Sequence, residues 1–380
     1  MSHPFFFLAS LVWNFSLGMT WLVVPRYAAS QGLSNAQIGT LFSFPVFVQL
    51  VINLVGGAYT DRIGGRRIML GSCWATVAAG LWFVVAEGFW MLMAGQVLLI
   101  VSRATFWPAT WAMASELPGK RSIQLGRLNA VTNTGQIAGS GLCGFFIAAF
   151  GFDATFLIMA VVGLLSFLAG LGTRTSRRPP VNTDRHVLAA YLPLLRRRII
   201  RYAVFCAYLS ALPFSLSVSF YPLLLAHFGY AEDTSGVLVS LRAVGAIAAG
   251  LLVARFVRTG PKTLWPVVCG IIVAAAVGMA PTINHWLPIG FWMLVVGLGS
   301  GAMTLYFQLT MADASAENER GSMMALGGMG WSVSHFTTPL IMGVLADRYG
   351  IVGGFYAIGV LALLTAVVIG FMRRWAFTQP

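Results

Sequence analysis

Apolar residues run along this chain in stretches of about twenty, interrupted by short polar segments. Twelve such stretches can be placed, at about 5–25, 36–58, 68–86, 89–113, 126–149, 154–172, 200–226, 235–256, 263–281, 287–311, 321–345 and 352–372. A helix of that length crosses the ~30 Å hydrocarbon core of a bilayer. Lipid offers no partner to a backbone N–H or C=O, so each stretch is predicted to be a helix that closes its own hydrogen bonds. A membrane β-barrel would instead show alternating segments of ~10 residues, a pattern the chain lacks. The predicted fold class is an all-α membrane protein of twelve transmembrane helices.

The longest polar segment, residues 173–200, follows the sixth stretch. Pro179 and Pro180 break any helix there, while His186 to Arg201 fits a short interfacial helix with its arginines toward headgroups. The segment divides the chain into an N-terminal bundle, 1–172, and a C-terminal bundle, 201–380. The halves also resemble each other. At an offset of 197, Pro25, Gly32 and Gly39 meet Pro222, Gly229 and Gly236. At an offset of 199, Gly144, Gly151 and Phe156 meet Gly343, Gly350 and Phe355. Two matching six-helix bundles are typical of carriers that rock around a midplane site.

Composition supports lipid as the solvent: 58% of the 380 residues are hydrophobic and 9% are charged, against about one quarter charged in soluble domains. Charge position sets orientation. With a cytoplasmic N-terminus, the inner gaps hold Arg62, Arg66 and Arg67; Lys120, Arg121 and Arg127; the arginines of the central linker; Arg255, Arg258 and Lys262; and Arg320. The tail adds Arg373 and Arg374, whereas the outer gaps hold only Arg26 and Arg348. This is the positive-inside asymmetry, and it places both termini in the cytoplasm. It also accounts for the formal net charge of +13 through topology and anionic lipid, with no call for nucleic acid.

Several function classes find no support. The four cysteines, Cys73, Cys143, Cys206 and Cys269, fall inside apolar stretches without metal or disulfide spacing, so no metal and no cofactor are expected. The N-terminus lacks a basic n-region and reads as a first span, not a cleaved signal. His3, His186, His227 and His285 are scattered, which argues against a membrane-embedded enzyme. A non-transporting receptor would need an extramembrane sensing or output domain, and the loops are too short for one. No GxxxxGK[ST] loop marks ATP-driven transport.

The eleven acidic residues lie at stretch ends or in loops, and only Arg103 and Arg242 carry charge well inside the spans. An arginine at bilayer depth costs ~2.5 kcal/mol or more unless it meets a cavity or a partner. Two arginines without an embedded carboxylate suggest a positive, water-accessible centre suited to an anion or to the anionic part of a zwitterion. Other polar and aromatic residues recur every three or four positions: Asn14, Gly18 and Trp21; Trp107 and Trp111 after Arg103; Asn129, Asn133, Gln136 and Ser140; Tyr208, Ser215 and Ser219; Thr304, Gln308 and Met311; Trp331, His335 and Thr338. Such stripes serve either as glue between helices or as the lining of a cavity. His335 is the one histidine well inside a span, and the ordinary titration range of the imidazole makes it the candidate proton carrier.

The loop after the second stretch, GGAYTDRIGGRR at 56–67, resembles the signature of the major facilitator superfamily, carried here by Gly57, Asp61, Arg62, Gly64, Arg66 and Arg67. The resemblance implies a cytoplasmic latch, which Glu116 at the end of the fourth span would join by bonding Arg62 or Arg66. The second half carries a degraded copy, ARFVRTGPK at 254–262, without an acidic residue. Gly135, Gly139, Gly141 and Gly144 in the fifth span resemble the glycine motif of the proton-coupled exporter branch, with Ser140 where a proline is usual. Arg103 sits where exporters often place an arginine, although Phe106, Trp107 and Pro108 replace the glycines that usually follow.

From this resemblance follow two pseudo-symmetric six-helix bundles, with spans one, four, seven and ten around a cavity and two, five, eight and eleven beside them. Spans three, six, nine and twelve would face lipid. The expected function is alternating-access transport of a small amphipathic molecule, with proton-coupled antiport outward as the leading mode and uptake or exchange of an organic anion as its rival. The cavity residues would be Asn14, Trp21, Arg103, Trp107, Trp111, Asn129, Asn133, Gln136, Tyr208, Ser215, Arg242, Gln308, Trp331 and His335. The implied setting is a monomer in the bacterial inner membrane, with lipids and protons as its other partners.

Overall fold

A computed structural model describes residues 3–52, 64–173, 196–253, 264–314 and 320–377, and among these residues the ordered elements are helices without a strand. The helices are α1 (His3–Ser30), α2 (Asn35–Ser43), α3 (Gly65–Val85), α4 (Gly88–Glu116) and α5 (Arg121–Leu171). They continue with α6 (Arg198–Ser217), α7 (Tyr221–His227), α8 (Glu232–Ala248), α9 (Trp265–Met279), α10 (Trp286–Asp313) and α11 (Arg320–Phe377). Eight helices among the described residues are long and apolar enough to cross a membrane. Two of them, within α5 and α11, run 49 residues each, about 74 Å if straight and so more than two bilayer cores.

Each long helix is therefore two spans, and a glycine makes the break. Gly151 has φ 78°, ψ −179°, and Gly350 has φ 76°, ψ 162°, a region that is essentially glycine-only. These residues are 199 apart and are the pair that the internal repeat aligns. The second aligned pair behaves alike, with Gly32 at φ 75° after α1 and Gly229 at φ 79° after α7. Phe156 and Phe355 also share a role. Both are fully buried, Phe156 against Tyr27 of α1 and Phe355 against Tyr221 of α7.

Contacts divide the chain into two compact units, Met1–Thr183 with Gly229–Ser240, and Asp184–Phe228 with Leu241–Pro380. In the first, α1 is the most enclosed helix and packs along α5. Close approach depends on small residues. A Cβ on Gly135 or Gly139 would be driven into the backbone of Leu11 or Phe15. Hydroxyl and thiol bridges stitch the same unit: Ser166 donates to the Ala9 carbonyl at 2.9 Å and lies 3.3 Å from the Cys73 sulfur. All four cysteines are buried free thiols. In the second unit α6 is the enclosed helix, with Gly330 of α11 against the backbone of Val204 and Tyr208. Gly297 and Gly301 of α10 meet the backbone of Arg242 and Ala246.

Large apolar side chains point outward on the remaining faces. They include Trp74, Leu81 and Trp82 on α3, Leu157, Val161 and Leu165 after Gly151, Ile271 and Ile272 on α9, and Leu363, Leu364 and Phe371 late in α11. A soluble protein would not leave such a surface uncovered, and lipid solvates it.

Two spans depart from the sequence expectation. The seventh, expected unbroken over 200–226, is interrupted between Ser217 and Tyr221. Pro222 has no N–H to give to the Val218 carbonyl, so the α-ladder stops and α7 restarts with the proline in its first turn. The eighth passes into a π-turn over Ala249–Val253, a form that α-helices adopt in single turns. The linker residues 174–195, the loop residues Gly57, Asp61 and Arg62, and Arg255, Arg258 and Lys262 lie outside the described residues.

Candidate functional site

Polar and aromatic side chains within the helices gather in two clusters, one in each unit. In the first unit Trp13 of α1 stacks on Phe106 of α4, with centroids 3.7 Å apart and planes 4° from parallel. Trp107 stands edge-on to both rings and continues to Trp111 at 5.7 Å. The Trp13 indole donates to Ser102 Oγ at 3.2 Å, and Ser102 donates to the Ser72 carbonyl at 2.7 Å. Trp107 is thereby fixed one turn beyond Arg103 on the same face of α4. Arg103 is partly exposed, and its buried Nε meets no hydrogen-bond acceptor among the described residues. Trp111 is half exposed and Asn129 is exposed, while Asn133 and Gln136 are partly so.

Other first-unit candidates turn inward. Asn14 is fully buried, donates to the Ser10 carbonyl at 2.8 Å and accepts from Gln136 Nε2 at 2.8 Å. Gly18 lies against the Gln136 backbone, and Trp21 is buried. The α1 stripe thus holds α1 to α5. The fifth-span glycines divide similarly. Gly135 and Gly139 seat α1, and Gly144 seats the backbone of Glu232 and Asp233. A Cβ on Gly141 would meet Ser240 only at ordinary contact distance, 3.8 Å.

In the second unit the imidazole of His335 lies against two aromatic rings, Phe214 at 5.1 Å and Trp331 at 5.4 Å, both within 27° of parallel, and those rings are 5.8 Å from each other. The Arg242 guanidinium, buried at 6% exposure, sits 5.0 Å above the Phe214 ring. Trp331 is held by its indole N–H donating to Ser210 Oγ at 3.0 Å. His335 Nδ1 lies 3.0 Å from the Trp331 carbonyl oxygen and 3.2 Å from Ser215 Oγ. Thr337 donates to the Tyr208 hydroxyl at 3.2 Å. Ser215 is buried, Tyr208, Trp331 and His335 are partly exposed, and Gln308 is exposed.

The loop-signature residues that are described show a simpler arrangement. Gly64 has φ 92° and precedes α3. Arg66 Nη2 donates to the Leu171 carbonyl at 2.8 Å, satisfying an acceptor at the end of α5, and Arg67 is exposed. Glu116 is the last residue of α4 and keeps a polar interaction of its own. Among the described residues no group of His, Cys, Asp and Glu could hold a metal ion.

Sequence patterning passed over Phe214, the ring that joins Arg242 to His335, because a phenylalanine in an apolar span carries no polar signal. It also passed over the ion pair of Arg26, near the end of α1, with Glu232, the first residue of α8. Arg26 Nε reaches Glu232 Oε1 at 2.9 Å, and Nη2 bonds the same oxygen. The partners are 206 positions apart, so no spacing rule connects them.

The fold and its buried polar clusters are those of a polytopic membrane transporter. The sequence model of the Major Facilitator Superfamily matches residues 6–311 and again 203–378, and the chain belongs to that family. The MFS-type transporter SLC18B1 of Mus musculus is 22% identical over 95% of this chain and 84% of its own length. Multidrug resistance protein 1 of Bacillus subtilis is 25% identical over 87% of this chain and 86% of its own. Among solved structures, the nucleoside transporter NupG aligns over the whole of both chains with a TM-score of 0.83 at 12% identity, a likeness of fold.

Proposed function

We propose that this chain is a secondary active transporter that moves a small amphipathic molecule by alternating access of bundles 1–172 and 201–380, in the mode of proton-coupled export and with no chemical step. The carrying observation is His335 packed against Phe214 and Trp331, two rings that also touch each other, with Arg242 over the Phe214 ring. A π-face can carry positive charge, so this imidazole can hold a proton within the membrane without an embedded carboxylate. Trp107 and Trp111 supply apolar and π surface for a guest, as do Trp331 and Phe214. The multidrug resistance relative supports the export mode. The proposed setting is a monomer in the bacterial inner membrane with both termini cytoplasmic, and Asp61, Arg62, Arg66, Arg67 and Glu116 form its inner latch.

A second reading, uptake or exchange of an organic anion, is favoured by Arg103 and Arg242, the two charges well inside the spans. Proteoliposomes with an imposed pH gradient and a trapped pH indicator separate the two. The probes are ethidium, an aromatic cation, and benzoate, an aromatic anion. Export by antiport predicts ethidium movement against the proton flow. Benzoate movement with the protons, abolished by Arg103→Ala, would favour the anion reading. Failure of both probes to respond to the gradient would remove proton coupling of such amphipathic guests.

A further inference from the structure

The cytoplasmic-side end of the second unit carries a cationic surface apart from the clusters described above. At the start of α6, Arg198 and Arg201 both place their guanidinium carbons over the Trp375 ring near the end of α11, at 5.4 and 4.7 Å. Arg196 and Arg197 precede them and are exposed, and Arg373 and Arg374 precede the tryptophan. Six arginines therefore share one end of two packed helices. No acidic residue occurs between Asp184 and Glu232, or after Asp347. Nothing in either segment neutralises this charge from within.

What lies one turn deeper is apolar and uncovered. Phe205 is 39% exposed, and its spacing from Arg198 and Arg201 puts it on their face of α6. Phe371, four residues before Trp375, is 81% exposed, and Leu364 and Val368 continue its face down α11. A cationic rim, an indole at its edge and an apolar wall below reproduce the layering of a phospholipid: phosphate, interface, acyl chain. An inorganic anion would use only the rim, and an acidic protein segment would leave the wall bare.

We propose that Arg198, Arg201 and Trp375, with Phe205 and Phe371 below them, form a binding site for the headgroup of an anionic phospholipid. The tryptophan holds the two guanidinium groups side by side. Their outer N–H groups then meet phosphate oxygens, and one acyl chain lies along Phe371 and Leu364. The site is separate from the His335 cluster and does not depend on the proposed coupling mechanism.

The test is native mass spectrometry of the full-length protein released from mixed micelles containing equal phosphatidylglycerol and phosphatidylcholine. The wild type should retain phosphatidylglycerol preferentially. Arg198→Gln/Arg201→Gln should reduce that preference by about 30-fold, the expected effect of removing two arginines at a membrane surface. Arg201→Gln alone should give a partial loss, and keeps the test open if the double variant folds poorly. Arg348→Gln, on the opposite side, should leave retention unchanged. Inorganic phosphate should not compete at millimolar concentration. Equal retention of the two lipids, or unchanged preference in a folded double variant, would overturn the site. Full displacement by inorganic phosphate would show an anion site in place of a lipid site.

Discussion

Gln136 of α5 donates from Nε2 to the Oδ1 of Asn14 on α1 at 2.8 Å, and the Asn14 amide in turn donates to the Ser10 carbonyl. The bond joins two residues 122 positions apart, with Asn14 fully buried and Gln136 partly so. Asn14→Ala leaves the Gln136 amide without this acceptor and should lower stability by about 1–2 kcal/mol. Asn14→Leu/Gln136→Leu, which removes both polar groups, should recover part of that loss. Thermal unfolding in detergent reads both. A loss in the double variant equal to the summed losses of Asn14→Leu and Gln136→Leu would show that the pair is not coupled.

Gly139 and Gly141 lie two residues apart in the same glycine-rich run, yet they differ in what surrounds them. An added methyl at Gly139 would strike the Phe15 carbonyl, backbone that cannot step aside, whereas at Gly141 it would touch Ser240 at 3.8 Å. Gly139→Ala should force α1 and α5 apart and cost about 1–3 kcal/mol. Gly141→Ala should stay within ~0.5 kcal/mol of wild type. Size-exclusion profiles and melting curves of the two variants check the contrast. Equal behaviour would refute the contact as described.

Span number was legible because a bilayer imposes a length, and the breaks at Gly151 and Gly350 could be anticipated from the repeat that aligns them. The interruption before Tyr221 was not, since Val218 and Phe220 are apolar and Pro222 also occurs inside ordinary membrane helices. The candidate residues were legible as stripes but not as roles. Asn14 and His335 both sit at helical spacing among apolar neighbours, yet one is buried glue and the other lies partly exposed against two touching rings. Spacing reports which face a residue occupies, and only the partner across the interface decides its use. That partner is often an apolar residue such as Phe214, or one as distant as Glu232 is from Arg26.

The Arg26–Glu232 pair is only slightly exposed, at 14% and 20%. Removing either partner strands a charge in a partly dry site. Arg26→Gln or Glu232→Gln should each cost about 1–2 kcal/mol, less than a fully buried pair because water still screens it. The exchanged variant Arg26→Glu/Glu232→Arg should regain much of the loss. Melting temperatures of the wild type, the two single Gln variants and Arg26→Gln/Glu232→Gln, taken at low and high salt, give the coupling energy. Additive losses would mean that the two side chains contribute independently.

The geometry of His335 assigns its proton. Its Nδ1 is 3.0 Å from the Trp331 carbonyl, which can only accept, so Nδ1 carries the hydrogen of the neutral ring and a second proton would go to Nε2. The Phe214 and Trp331 rings pack against the imidazole, and they are themselves 5.8 Å apart. His335→Gln should therefore leave counterflow of ethidium across equilibrated liposomes near the wild-type rate, while accumulation driven by a pH gradient falls to the passive level. His335→Phe should do the same, because it keeps a stacked ring and removes only the proton site. Trp331→Phe keeps the stack but loses the 3.0 Å bond to Ser210; its gradient-driven accumulation should fall by about tenfold if looser positioning raises the barrier by about 1.4 kcal/mol. Full gradient-driven transport by His335→Gln would place the coupling proton on another group, and loss of counterflow in both His335 variants would make the ring a substrate contact instead.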